Sequence, residues 1–280
     1  MVLKAAPRLT ANNLRSTTAI RRRCCHATSP RQSPSSPQPT PTPLRVYRYV
    51  VDVHGQLFLH DQVPKNLTSC FKNTAFLDFF FTRLRPNPSS PTSRDGARIA
   101  QYDILSAAPA SGPQWPDDPR LQDADTDTDT ARQLACRLAN DDGYEWLSPC
   151  GPELNFVKTQ DTPIVFRELT STGKLHYAGS LQHDFAPDSL HVDPSTGYLY
   201  HPSPDPTSDS VRTRRRAKSK PDSAQRYGRF SLLSSSLVLQ HLAHDLEIDP
   251  DQFHAGDAGS VQWQGTRYPL RLLPSPAPSS

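Results

Sequence analysis

His241, His244 and Asp245 stand at the three- and four-residue spacing that brings side chains to one helix face, where imidazoles and a carboxylate can hold a divalent metal. A solvated polar helix face carries the same pattern, so no metal site is assigned to them. His183, Asp184, His191 and Asp193 gather around one turn, but no third ligand has defining spacing. Cys70 and Cys150 would serve as nucleophile or redox pair only with a lowered thiol pKa and mutual proximity. Their plainer reading is as small buried core thiols. Arg83 and Arg85 offer planar donor forks for a carboxylate or phosphate. They also read as helix-end cations bonded to nearby carbonyls or to Asp161. Tyr200 and His201, just before Pro202, can line a cleft or close a strand end.

The familiar reaction signatures are missing. No G-x-G-x-x-G or G-x-x-x-x-G-K loop cradles a phosphate, and neither G-x-S-x-G nor H-E-x-x-H occurs. No C-x-x-C supports a zinc ribbon or a thioredoxin-like site. The alternating Asp/Thr run of residues 123–130 lacks the glycine and terminal glutamate of an EF-hand calcium loop, and reads as a solvated acidic loop. No catalytic residue and no cofactor is therefore assigned.

The elements that must position these residues are legible in part. Val46, Tyr47, Tyr49, Val50 and Val51 form a strand, His54-Gly55 a turn, and 56–59 a second strand. Thr74 can cap a helix in which Phe76, Phe79, Phe80 and Leu84 recur at helical spacing, with Arg83 and Arg85 in its last turn and Pro86 ending it. Residues 87–142, rich in Pro, Ser and Asp, read as a mobile insertion. Residues 144–147, 154–157 and 164–166 read as an antiparallel meander. After a second polar insertion, residues 230–233 are strand-like. Leu237, Leu239, Leu242 and Leu246 predict a helix ended near Pro250. A last hairpin turns at Gln264-Gly265.

Charge is divided unevenly along the chain. The formal net charge is +3, yet residues 1–51 carry nine bases and no acid, which leaves 22 bases against 28 acids in the rest. Arg8, Arg15 and Arg22 recur every seven residues, with Val2, Leu3, Ala6, Leu9, Leu14 and Ile20 broadly opposite. An Arg-rich, acid-free amphipathic start reads as a mitochondrial transit peptide, its cargo destined for the matrix. Six prolines in residues 30–43 form a polyproline-like spacer. Nowhere do 18 apolar residues run together, so no membrane span is expected. The basic run Arg212–Lys220 lacks interleaved aromatic residues and reads as a solvated loop, with nucleic-acid binding as its outside alternative.

Several separated motifs agree in order with a known family. They are residues 49–59, Lys65-Asn66, Cys70-Phe71-Lys72, residues 80–87, Cys150-Gly151, residues 153–156, 161–166, 199–202 and 261–265. Together they resemble the uncharacterised protein family UPF 0598, whose animal members are thought to be mitochondrial. The resemblance covers residues 45–87, 143–202 and 227–273. The Gly-x-x-Phe strand opening, the phenylalanine-rich helix, the stretch from Tyr144 to Phe166 and the Trp-x-Gly hairpin are similar, more distantly, to the bacterial domain-of-unknown-function family 1285. That similarity implies a two-domain α+β fold with a ligand-binding or signalling role. Neither family supplies a catalytic residue to carry over.

These readings converge on an α+β chain of two small units, each an antiparallel sheet with a packed helix. The expected divisions are 1–44 (transit peptide and linker), 45–206 with an insertion at 88–142, a basic insertion at 207–226, a second unit at 227–273, and a tail at 274–280. The expected function is a non-catalytic mitochondrial module that binds a small molecule or a protein. Arg83, Arg85, Asp161, Tyr200 and His201 are its candidate polar lining, in a pocket between the units. The alternatives are an enzyme using the same cleft and nucleic-acid binding through residues 212–220.

Overall fold

The computed structural model describes residues 44–90, 121, 128–205, 226–255 and 258–274. The segment expected as a leader, most of the segment expected as the first insertion, the basic run Arg212–Lys220 and the end of the expected tail lie outside them. Among the described residues four small sheets and three α-helices alternate, which makes the fold α+β.

The first sheet holds β1 (Arg45–Val51), β2 (Leu57–Leu59), β3 (Arg85–Pro86), β4 (Trp146–Cys150) and β5 (Glu153–Thr159), in the order β2-β1-β5-β4-β3. β1 and β2 are antiparallel across the turn of residues 52–56, as their β-branched and aromatic residues predict. β4 and β5 are an antiparallel pair as expected. The expected meander stops there, because β5 lies parallel to β1, Arg45 opposite Glu153 and Val51 opposite Thr159.

Alternation along each strand gives this sheet two apolar faces. Tyr49, Val51, Trp146 and Val157 face α1 (Thr74–Arg83). The Tyr49 and Phe80 rings meet edge-on at 5.0 Å, and the Ser148 hydroxyl donates to the Phe80 carbonyl at 2.7 Å. Asn73, one residue before the expected cap, closes the helix start by accepting from the Phe76 N–H at 2.9 Å. The helix ends at Leu84, so Arg85 belongs to β3 instead of the last helical turn. The carbonyls at that end are bonded from far along the chain. Arg226 donates to Thr82 at 2.6 Å and Leu84 at 2.9 Å, and the Tyr227 hydroxyl to Phe81 at 2.8 Å.

The opposite face corrects the reading of residues 87–142 as an insertion throughout. α2 (Thr128–Asp141) packs Ala135, Cys136 and Ala139 against Leu147, Leu154 and Phe156. Its apolar stripe is built of small residues, which raise little hydropathy in the sequence yet let a helix approach a sheet closely. Asn87, fully buried, ties α2 to β3 by donating to the Cys136 and Tyr144 carbonyls at 2.9 and 3.0 Å.

The second sheet has the order β16-β10-β11-β12-β6, with β6 (Val165–Phe166), β10 (His191–Val192), β11 (Leu199–Pro202), β12 (Phe230–Leu233) and β16 (Arg271–Leu272). β12 is antiparallel to β11 and parallel to β6. The stretches 45–206 and 227–273 are thus joined by ladder hydrogen bonds. One hydrophobic cluster runs from Tyr49 to Leu270, within a compact unit spanning 41–280. At the seam between the two stretches, β11 and β12 are hydrogen-bonded neighbours, Tyr200 opposite Leu232 and His201 opposite Ser231.

Two three-stranded antiparallel sheets complete the fold. One is β7 (Glu168–Leu169), β8 (Lys174–Tyr177) and β9 (Leu181–Asp184). The other is β13 (Leu246–Glu247), β14 (Ser260–Trp263) and β15 (Thr266–Pro269), whose hairpin turns at Gln264-Gly265 as predicted. Both turn residues have positive φ, 50° and 79°, which the tight hairpin geometry requires. α3 (Ser235–His241) is shorter than predicted. The backbone passes into a 3-10 turn at 243–245, Leu246 enters β13, and Leu239 is left exposed. None of the described helices is long and apolar enough to cross a membrane.

Candidate functional site

The expected lining residues separate into three places. Arg83 is exposed, its guanidinium 3.5 Å from the Phe79 ring centroid and donating to the Phe79 carbonyl. Arg85 is exposed on the edge strand β3. Asp161 and Tyr200 do meet, the phenol donating to the carboxylate at 2.8 Å inside the protein. His201, next along β11, points to the other face of the second sheet. It lies among Phe166, Phe185 and His183. Its Nε2 accepts from the Ala186 N–H and its Nδ1 donates to the Pro202 carbonyl, both at 2.9 Å. Burial pushes its pKa down to about 4, so the ring is neutral at pH 7 and both nitrogens are used.

The other singled-out groups are dispersed. His244 and Asp245 are 3.2 Å apart at the surface, and no metal-holding cluster occurs among the described residues. Cys70 and Cys150 are unbridged and only partly buried, whereas Cys136 is the buried thiol. Burial raises the Cys136 pKa, which makes it a poor thiolate.

A group that sequence reasoning missed gathers on the α2 side of the first sheet, beyond the end of the helix. Lys158 follows Leu154 and Phe156 on the same face of β5, and Arg48 sits between Val46 and Val50 on the same face of β1. Each puts a cation where the apolar alternation calls for a hydrophobe. That shared breach of the two-residue period is the signal that was available. Tyr144 and Glu145 enter just before β4, and His60 just after β2. The His60 and Tyr144 rings lie 5.7 Å apart, and the Lys158 ammonium 5.8 Å from the Tyr144 ring centroid. Lys158 donates to the Asp142 carbonyl at 3.1 Å. Arg48, its side chain 9% exposed, is paired with the outer Asp61 at 2.6 Å.

Two atoms of this group are buried without a hydrogen-bond partner among the described residues, Oε2 of Glu145 and Nδ1 of His60. The electrostatics follow from partial burial. Desolvation, opposed by Lys158, carries the Glu145 carboxyl up to about 7. Desolvation and the Arg48 charge carry His60 down to about 4. Burial also lowers Lys158 and raises the Tyr144 phenol. Near pH 7 the group therefore combines a carboxyl at its titration midpoint, a neutral imidazole and an ammonium. Such a set can donate and accept protons at short range, and perturbed groups of this kind concentrate at functional sites.

A family model for a domain of unknown function, DUF4505, matches residues 36–97 and 136–272. The match takes in all four sheets, α1, α3 and the second half of α2, and therefore His60, Tyr144, Glu145 and Lys158. No solved structure matches the chain. With more than half its length matched, the chain belongs to the DUF4505 family, a family of uncharacterised domains.

Proposed function

We propose that the chain is a non-catalytic ligand-binding module of mitochondria, and that its ligand seats against Arg48, His60, Tyr144, Glu145 and Lys158. The observation that carries this reading is the pair of buried polar atoms, Glu145 Oε2 and His60 Nδ1, left without partners among the described residues. Each such atom costs about 1–3 kcal/mol, which a ligand recovers by bonding to it. A small molecule that donates to Glu145 and offers an anionic oxygen to Lys158 fits the set, as an amino or hydroxy acid does.

The test is native mass spectrometry of the purified full chain against its denatured mass. A retained small molecule, absent from Glu145→Gln and Lys158→Met, supports the reading. A clean apo mass, with no thermal shift from a panel of small carboxylic acids, removes it. Glu145 titrating near 7 beside an ammonium also favours an enzyme reading, with Glu145 as general base. Conversion of the retained molecule by wild type but not by Glu145→Gln decides between the two. The mitochondrial placement and the UPF 0598 resemblance belong to this same proposal and rest on the Arg-rich leader and the ordered motifs. A fusion lacking residues 1–44 stays outside mitochondria on this view, and unchanged import refutes it.

A further inference from the structure

We infer that the outer face of the second sheet is a separate binding site for a nucleobase that carries a phosphate. Cross-strand register places Arg271, His191, Tyr200, Leu232 and Val165 in one row on that face, with Phe230 two residues from Leu232. Half of the row is closed. Tyr200 is 1% exposed and held by Asp161, and Val53, from the turn between β1 and β2, packs onto this cluster. The other half is partly open, its surface formed by His191, Tyr198, Phe230 and Leu273.

Two neighbouring rings lie there between two guanidinium groups. The His191 and Phe230 rings lie 4.4 Å apart, and the Arg229 guanidinium lies 5.3 Å from the Phe230 centroid. Arg271 stands beside His191 across a parallel pair and is exposed, as is Arg229. The His191 Nδ1 is committed to the Ser189 carbonyl at 2.9 Å. Burial, and then the charges of Arg271 and Arg229, hold its pKa down, so the imidazole serves as a neutral flat surface between two cations.

Two partly open rings, tilted 52° to one another and flanked by two guanidinium groups, offer a ring face and a cationic edge to a planar ring bearing an anion. Aromatic faces stack on bases regardless of sequence, and arginine presents a donor fork to phosphate. Beyond residue 51 the chain carries more acids than bases, which limits the site to one or a few nucleotides before repulsion sets in. The shared chemistry has two sources, a free nucleotide or a short single strand.

The experiment uses the full chain at low salt, with adenosine monophosphate by calorimetry and a labelled five-nucleotide strand by anisotropy. Arg229→Gln and Arg271→Gln should each weaken binding about five- to tenfold. Phe230→Leu, which keeps an apolar side chain and removes the ring, should weaken it about fivefold or more. For the strand, each arginine removed should lower the salt slope by about 0.7. Binding of the mononucleotide alone assigns the free source, and tighter binding of the strand assigns the other. No binding of either probe overturns the inference. So does binding indifferent to the three substitutions, including binding lost only on neutralising Arg212–Lys220. Should Phe230→Leu fail to fold, the two exposed arginines decide.

Discussion

Replacing His201 by Phe tests whether this imidazole is a neutral, fully bonded core group. The side chain is 1% exposed, and both of its nitrogens are engaged by backbone groups. A proton on Nε2 would displace the Ala186 N–H, and burial holds the folded-state pKa at about 4 against an ordinary 6.5. The unfolded chain therefore takes up this proton first as the pH falls. Stability owed to the neutral ring is complete above about pH 6.5 and is lost as the pH drops toward 4. Linkage puts the loss at about 2 kcal/mol at pH 5 and about 3 kcal/mol at pH 4. His201→Phe cannot bind the proton, and it forfeits two hydrogen bonds at every pH, about 1–3 kcal/mol for each group left unpaired. The wild type's advantage at pH 7 should thus shrink by about 3 kcal/mol at pH 4. Urea unfolding of both proteins at pH 7, 5.5 and 4, followed by tryptophan fluorescence, measures it. With a slope of about 3 kcal/mol/M the difference between midpoints moves by about 1 M. Other titrating groups cancel in the comparison. A difference that stays constant from pH 7 to pH 4 refutes the assignment.

Asn87→Ala should cost about 2–4 kcal/mol, because the buried carbonyls of Cys136 and Tyr144 lose the Asn87 amide together. Faster amide exchange in residues 131–144 would show that Asn87 secures α2 on the sheet. Gly259→Ala should lower Tm by about 4–8 °C, since φ there is +91° and a Cβ would collide with the Glu247 carbonyl. Gly265→Ala, at φ +79° with open space around it, should cost only about 1 kcal/mol, and equal losses at the two glycines would refute the steric account. For Glu145→Gln without ligand the sign is opposite to that of His201. The folded carboxyl holds its proton up to about pH 7, so wild-type stability falls between pH 4.5 and 7 and the variant's does not. Stability curves of the two that run parallel across this window would show that Glu145 is not buried.

Elements written in short-range chemistry were the legible ones. The β1–β2 hairpin, α1 and the turn at Gln264-Gly265 each carry their own periodicity or turn residues, and each forms as the pattern indicates, α1 with its cap one residue earlier and its end before Arg85. α2 was not legible, because its buried stripe of Ala135, Cys136 and Ala139 is too small to mark a core helix among Thr, Asp and Arg. Arg83 and Arg85 illustrate the same limit at a helix end. A basic residue there suits the local carbonyls, yet Arg226, more than 140 residues along the chain, bonds two of them.

Composition and local pattern alone determined the α+β class, the basic N-terminal stretch, the acidic remainder and the absence of the common phosphate, hydrolase and zinc motifs. Tertiary structure decided that β1 would lie parallel to β5, and with that pairing the place of the site. Parallel register sets Val50 beside Lys158 and Arg48 beside Phe156, and the antiparallel partner β4 then brings Tyr144 and Glu145 to the same corner. Side-chain alternation is a property of one strand. Which strands lie side by side depends on burying both faces of the sheet at once, under α1 on one side and α2 on the other.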